Sequence, residues 1–191
     1  TQEVMNGTSN AGLLGDRAFW FYMLQQGKPR TGTANSDTHS LGDNTAGSPR
    51  NLVFAATQKN SFAIDVFNQA LRDGRSLGTN GPVIAAELRD GATVFDYGLL
   101  PIAPAASATL HLEVSAAPWV FVDEICIVVN GEIKRTITGA ELTQPSDPFG
   151  ATGLSRFVGD VPLAELLPSG TSDAWIVIEA GRALPLFADL G

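Results

Sequence analysis

The sequence predicts an α/β portion followed by an antiparallel β-sandwich. Three observations carry this prediction. Strand and helix signals alternate over residues 1–82, short strand signals dominate residues 83–191, and Asn130-Gly131 separates two strand-like runs. Alternating strands and helices are typical of a parallel sheet, whereas many short strands joined by turns are typical of a sandwich. We place the boundary between the two domains near Pro82.

Composition limits the function classes. The chain has 191 residues, 44% of them apolar, so a globular protein with a proper core is expected. Twelve basic residues against twenty acidic ones give a net charge of −8, and no basic stripe is present. We therefore expect neither nucleic acid nor an anionic membrane surface as a partner. No apolar run has the length of a membrane span, and Cys126 lies in an apolar run typical of a core.

The first domain contains two strand-then-helix units. "EVMNG" predicts a short strand, and a helix is expected from Gly15-Asp16 to Gly27. This helix is apolar nearly all round, so we expect it to be largely covered and its aromatic side chains to lie in the core. "NLVFAA" predicts a buried strand, and "SFAIDVFNQALRDGR" predicts an amphipathic helix capped by Ser61 and ended by Gly74. This order predicts parallel strands.

The second domain contains six strand signals and one helical turn near residues 163–167. In "TLHLEV" the leucines alternate with His111, which predicts that His111 faces solvent or a partner. Asn130-Gly131 predicts a hairpin, because both turn positions require positive φ. We expect Trp119 and Trp175 to lie in strands. The strand signals are "VIAAELR", "ATLHLEVSA", "WVFVDEICIVVNG", "EIKRTIT", "RFVGDVPL" and "AWIVIEAG".

The stretch "ANSDTHSLGDNTAGSPR" contains the strongest candidates in this chain for metal-binding or catalytic side chains. Asp37 and His39 are two positions apart among small polar residues, and Pro49-Arg50 closes the loop. A carboxylate and an imidazole at this spacing can converge on one metal where the backbone turns between them. A hard oxygen and a borderline nitrogen suit Zn, Mn or Fe better than Ca. The residues alone leave a solvated polar loop as the alternative, since two ligands do not complete a metal site.

Several strings in order resemble the closing part of a PHP-type metallohydrolase, most closely its carbaryl-hydrolase-like branch. "TGTANSDTHSLGDNTAGSPRNLVFA" and "FNQALRDGRSLGTNGPVI" are similar to the end of that family's catalytic barrel, and "EVMNG" resembles an earlier strand end. The likeness covers about residues 3–82. It extends less distinctly to "WVFVDEICIVVNGEI", which resembles the family's C-terminal domain.

The resemblance implies a fold, a cofactor and an activity. The fold is the end portion of a PHP-like (β/α) barrel over residues 1–82, followed by an antiparallel β-sandwich over residues 83–191. The cofactor is two or three divalent ions (Zn, Mn or Fe), for which Asp37 and His39 would be the final ligand pair. Arg50 would be a catalytic contact to an anion or transition state. The activity is hydrolysis of a small-molecule ester, a phosphoester first and a carbamate or carboxyl ester second, by a metal-activated water.

The chain departs from this family in one respect. The family's pattern begins with an H-x-H pair and further ligands, which this sequence lacks. We therefore expect the chain to be the C-terminal part of a longer protein whose N-terminal part supplies the other ligands. A degenerate member that has lost the chemistry is the alternative. The sequence does not define the cellular compartment, and export to the periplasm or cell exterior is one option.

A non-catalytic module is the rival interpretation. In it, the sandwich binds carbohydrate or another protein, and the barrel portion is only a scaffold. The sandwich sequence shows no obvious aromatic platform in its loops, which weighs against the carbohydrate version. Histidine-rich sequence upstream, or stoichiometric metal in the full protein, would favour the enzyme.

Overall fold

The computed structural model describes residues 1–7, 9–40, 42, 44–150, 152, 154–167 and 173–182. The chain divides into two compact units, Thr1–Asn80 with Tyr97–Pro101, and Gly81–Asp96 with Ile102–Gly191. The division falls between Asn80 and Gly81, and residues 97–101 belong to the first unit, which was not predicted. The described part is β-rich with few helices, and none of its sheets closes into a barrel.

In the first unit, the residues that the structure describes form two two-stranded sheets and two helices. Strands β1 and β2 are parallel and are joined through helix α1, whereas β3 and β4 are antiparallel. The elements are β1 (Gln2–Asn6), α1 (Asn10–Gln25), β2 (Gly32–Asn35), β3 (Arg50–Val53), α2 (Ile64–Arg72) and β4 (Ser76–Thr79).

Helix α1 begins earlier and is less covered than the sequence predicts. Ser9 caps it by accepting a hydrogen bond from the Gly12 N–H, so the helix starts at Asn10 rather than near Gly15. Phe21 is buried as predicted, but Phe19 and Tyr22 are 51% and 58% exposed and stack on each other, so the expectation that the aromatic residues are core is wrong for these two.

The pairing of strand β3 differs from the sequence prediction. The sequence predicted that "NLVFAA" would join a parallel sheet, but β3 pairs antiparallel with β4, with Arg50 opposite Thr79. Helix α2 lies between them in the chain, and Gly74 at φ 79° helps to reverse the chain after it. Strand β2 was not predicted, because its four residues, "GTAN", carry little β-propensity.

The described residues of the second unit form two antiparallel sheets, in the orders β10-β7-β5-β6 and β11-β8-β9. All six predicted strands form; β6 is an additional strand that the sequence did not predict. The elements are β5 (Val83–Asp90), β6 (Thr93–Asp96), β7 (Thr109–Ser115), β8 (Glu124–Val129), β9 (Glu132–Thr138), β10 (Ser155–Pro162), α3 (Leu163–Leu166) and β11 (Ile176–Gly181).

Both sheets of the second unit contribute to one core. Leu112 of β7 and Ile127 of β8 have no exposed surface and belong to the same apolar cluster, which also includes Leu166 of α3. This arrangement is consistent with the predicted antiparallel sandwich. The predicted hairpin is present: Asn130 and Gly131 have φ of 50° and 89°, and β8 pairs with β9 on either side of them.

Two side chains of the second unit differ from their predicted positions. Trp119 lies in the loop before β8 and is 63% exposed, although the sequence placed it in a strand. His111 was expected to face solvent, but its side chain is only 12% exposed and lies between the carboxylates of Asp160 and Glu113. Neighbouring strands cover it, and the alternation within β7 alone cannot reveal this.

Candidate functional site

The candidate site begins at the carboxyl ends of β1 and β2. Because β1 and β2 are parallel and Asn6 is paired with Asn35, the two strands end at the same edge of the sheet. The segments that follow them therefore start close together. The loop of residues 36–49 follows β2 directly and contains Asp37 and His39. Carboxyl ends of parallel strands are a common location for ligand sites in α/β proteins.

Asp37 and His39 contact each other. The Oδ1 atom of Asp37 lies 2.8 Å from Nε2 of His39, and the two side chains are 46% and 77% exposed. Asp37 has a positive φ of 51°, which turns the backbone sharply after Ser36. Thr38 donates a hydrogen bond of 2.8 Å to the Asn44 carbonyl oxygen and so ties the turn to the far part of the loop.

The 2.8 Å separation of Asp37 Oδ1 and His39 Nε2 is that of a direct hydrogen bond between the two side chains. Two ligand atoms of a tetrahedral zinc, each about 2.1 Å from the ion, lie about 3.4 Å apart, so the two side chains would have to separate by about half an ångström to share one ion. Within the described residues, no group of three His, Cys, Asp or Glu side chains could hold a metal ion. The pair therefore supplies two ligand atoms of suitable chemistry, fewer than the three protein ligands typical of a catalytic zinc.

Arg50 lies at the other end of the same loop. It is the first residue of β3, follows the buried Pro49, and is exposed. Its Nη1 atom donates a hydrogen bond of 3.2 Å to the Gly47 carbonyl oxygen. The guanidinium thus stays on the surface of the loop segment, where it can reach an anionic group.

A polar network beneath the loop was missed by the sequence analysis. The Asn51 side chain donates to the Ala34 carbonyl oxygen and accepts from the Ala34 N–H, both at 2.8 Å. It thus pairs with the backbone of β2 in the way that the main chain of a neighbouring strand would. Its amide also donates to Oδ1 of Asn35 at 3.2 Å. Asn35 in turn donates to Oε1 of Glu3 at 2.6 Å, and Asn6 donates to Oε2 of Glu3 at 3.2 Å.

This network fixes the end of β2, from which the Asp37 loop departs. One signal could have revealed it: Glu3 and Asn6 lie in the "EVMNG" string, and Asn35 directly precedes the "SDTH" run. The contribution of Asn51 could not be predicted, because it depends on β3 lying beside β2.

Comparison with family models, with curated proteins and with solved structures finds no match for this chain. Within the described part, no helix is both long and apolar enough to cross a membrane.

Proposed function

We propose that the chain is part of a metal-dependent hydrolase of PHP type that cleaves a small-molecule ester. The end portion of the PHP-like barrel would correspond to residues 1–82, and further ligands would come from another part of the same protein. The observation that supports this most is the 2.8 Å contact between Asp37 and His39 on a loop at the carboxyl end of a parallel strand pair. Divalent ions (Zn, Mn or Fe) held there would lower the pKa of a bound water and polarise the ester.

Each residue of this chain has a defined role in the proposal. Asp37 supplies a hard carboxylate oxygen, and His39 supplies Nε2. Arg50 offers a planar pair of donors to a phosphoryl or carboxyl oxygen of the substrate, which favours a phosphoester over a neutral carbamate. The network of Asn51, Asn35 and Glu3 holds the strand end in place and so positions the two ligands.

Substitution of either ligand tests the proposal in the full-length protein. Asp37→Asn and His39→Gln keep the size of the side chain but remove the ligand atom or its charge. We expect each to lower metal-dependent hydrolysis of bis(p-nitrophenyl) phosphate by at least about a hundredfold and to lower the bound metal per protein. Turnover with added Zn²⁺ or Mn²⁺ and elemental analysis of the purified protein provide the two readouts.

His111→Gln is the matched control, because it removes the other histidine of this chain from a different unit. We expect it to leave metal content and turnover unchanged. Wild-type turnover in both loop variants would contradict the role of the pair. Absence of stoichiometric metal from the wild-type protein would favour the rival, non-catalytic module.

A further inference from the structure

The loop that carries Asp37 and His39 lies against the end of strand β1. The side chain of Asn44, a residue of this loop, packs on Gly7, which directly follows β1. A Cβ atom built on Gly7 would lie 2.8 Å from Nδ2, 3.2 Å from Cγ and 3.3 Å from Oδ1 of Asn44. An atom cannot approach a real Cβ to 2.8 Å, so Asn44 can occupy this position only because residue 7 is glycine.

Gly7 belongs to the ordered backbone of the sheet. It is buried, and its φ of 58° lies in the left-handed region. Its N–H donates a hydrogen bond of 2.8 Å to the carbonyl oxygen of Asn35, the last residue of β2. This bond continues the parallel pairing of β1 and β2 by one residue. The side chain of Asn44 therefore rests on main-chain atoms that the sheet holds in place.

The main chain of Asn44 connects this contact to the candidate ligands. The hydroxyl of Thr38, which stands between Asp37 and His39 in the chain, donates a hydrogen bond of 2.8 Å to the Asn44 carbonyl oxygen. Asn44 thus contacts Gly7 through its side chain and Thr38 through its main chain. A continuous set of contacts runs from the end of β1 to the residue between the two candidate ligands.

Burial does not hold the two candidate ligands in place. The side chains of Asp37 and His39 are 46% and 77% exposed. Contacts along the loop must therefore supply the order that packing does not. Order before binding increases affinity, because a loop that is already fixed loses less conformational entropy when a ligand arrives.

We infer that Asn44, seated on Gly7, is a positioning residue for Asp37 and His39. It holds the loop across the end of β1 and so orders the two side chains before a cation arrives. The effect on metal affinity rests on the proposed function, whereas the ordering of the loop does not. Loss of a group that orients metal ligands typically weakens metal binding by about 10–100-fold, and we expect a loss of this size without the contact.

Gly7→Ala, compared with Gly27→Ala, tests the inference in the full-length protein. Gly27 has φ 65°, and no other part of the described chain lies within 4 Å of a Cβ built there. Both substitutions strain the backbone, but only the first displaces Asn44. NMR relaxation in EDTA should show the backbone order parameters of residues 37–39 falling from about 0.85 to below about 0.6 in Gly7→Ala alone. Zn²⁺ affinity, from titration against a chromogenic chelator, should fall at least about tenfold in the same variant.

Asn44→Ala separates the contact from the strain at residue 7. It removes the side-chain atoms that a new Cβ would meet, but keeps the carbonyl oxygen that binds Thr38. We expect Asn44→Ala to lower the same order parameters and the Zn²⁺ affinity. The double variant Gly7→Ala/Asn44→Ala should be no worse than Asn44→Ala, because both changes remove one contact. Effects that add in the double variant would show that the two residues act independently and would overturn the inference.

The two readouts distinguish this inference from the proposed function. Wild-type order parameters in Gly7→Ala and Asn44→Ala would overturn the inference, as would an equal fall in Gly7→Ala and Gly27→Ala. A disordered loop with unchanged Zn²⁺ affinity, where Asp37→Asn lowers that affinity, would also overturn it. A wild-type protein that binds no Zn²⁺ would overturn the proposed function and the metal part of the inference, and the order parameters would still decide whether Asn44 orders the loop.

Discussion

Asp37 has an unusual backbone conformation, and its side chain contacts His39, two positions further along the chain. Its φ of 51° lies in the left-handed region, which Asp tolerates better than most residues because its short side chain bonds locally. The conformation brings the carboxylate to within 2.8 Å of the His39 ring. The sequence predicted that an aspartate and a histidine at this spacing could converge on one metal, and the two side chains contact each other directly. Their metal is still a proposal.

Two glycines should respond in opposite ways to the same substitution. Gly131 has φ 89° in the hairpin between β8 and β9, so Gly131→Ala should lower the free energy of unfolding by about 1 kcal/mol. Gly15 lies within helix α1, and no atom lies within 4 Å of a Cβ built there. Gly15→Ala should therefore raise the free energy of unfolding by about 0.5–1 kcal/mol. Urea unfolding followed by circular dichroism measures both, and shifts of the same sign would contradict this explanation.

At the scale of elements, the end of β2 depends on a side chain of β3. Asn51 forms two hydrogen bonds with the backbone of Ala34 and a third with the Asn35 side chain. Because strand β2 has only four residues, these bonds make up a large part of its pairing. The loop that carries Asp37 and His39 starts at this point, so the network connects the order of the sheet to the candidate site.

Asn51→Leu tests this connection. The substitution keeps the volume but leaves the Ala34 N–H and carbonyl oxygen without their side-chain partner. We expect the free energy of unfolding to fall by about 1–3 kcal/mol and amide exchange at residues 34–39 to accelerate. Asn60→Leu, in an exposed turn of the same unit, is the control. Equal exchange rates in Asn51→Leu and wild type would show that the network does not order the loop.

At the scale of the whole molecule, the two units differ in how they are stabilised. The second unit has a core supplied by both of its sheets, with Leu112 and Ile127 fully buried. In the first unit, the described strands are short and much of α1 is exposed: Phe19 and Tyr22 keep more than half of their surface in water. The first unit therefore obtains less of its stability from apolar burial.

Leu112→Ala should be among the most damaging single changes in the second unit. It removes a side chain with no exposed surface from the centre of the core, which typically costs about 2–5 kcal/mol. We expect hydrogen exchange to accelerate in β7 and in β5 and β10, the two strands paired with it. Leu100→Ala, at a side chain 74% exposed, should change the free energy of unfolding by less than about 0.5 kcal/mol. A similar loss in both variants would refute the assignment of the core.

The sequence by itself determined what depends on neighbouring residues in the chain. The alternation of Leu110, His111 and Leu112 predicted β7, and Asn130-Gly131 predicted the hairpin. These features follow from local backbone geometry and from the two-residue period of a strand.

Only the tertiary structure decided what depends on residues distant in the chain. It paired β3 with β4, joined Asn51 to β2, and covered His111 with the strand that carries Asp160. It also left Trp119 exposed, and it joined the buried Arg156 to the Ala117 carbonyl oxygen in the same loop. The physical reason is the same in each case. Hydrogen-bond partners and burial are set by which strands become neighbours, and no local pattern records that choice.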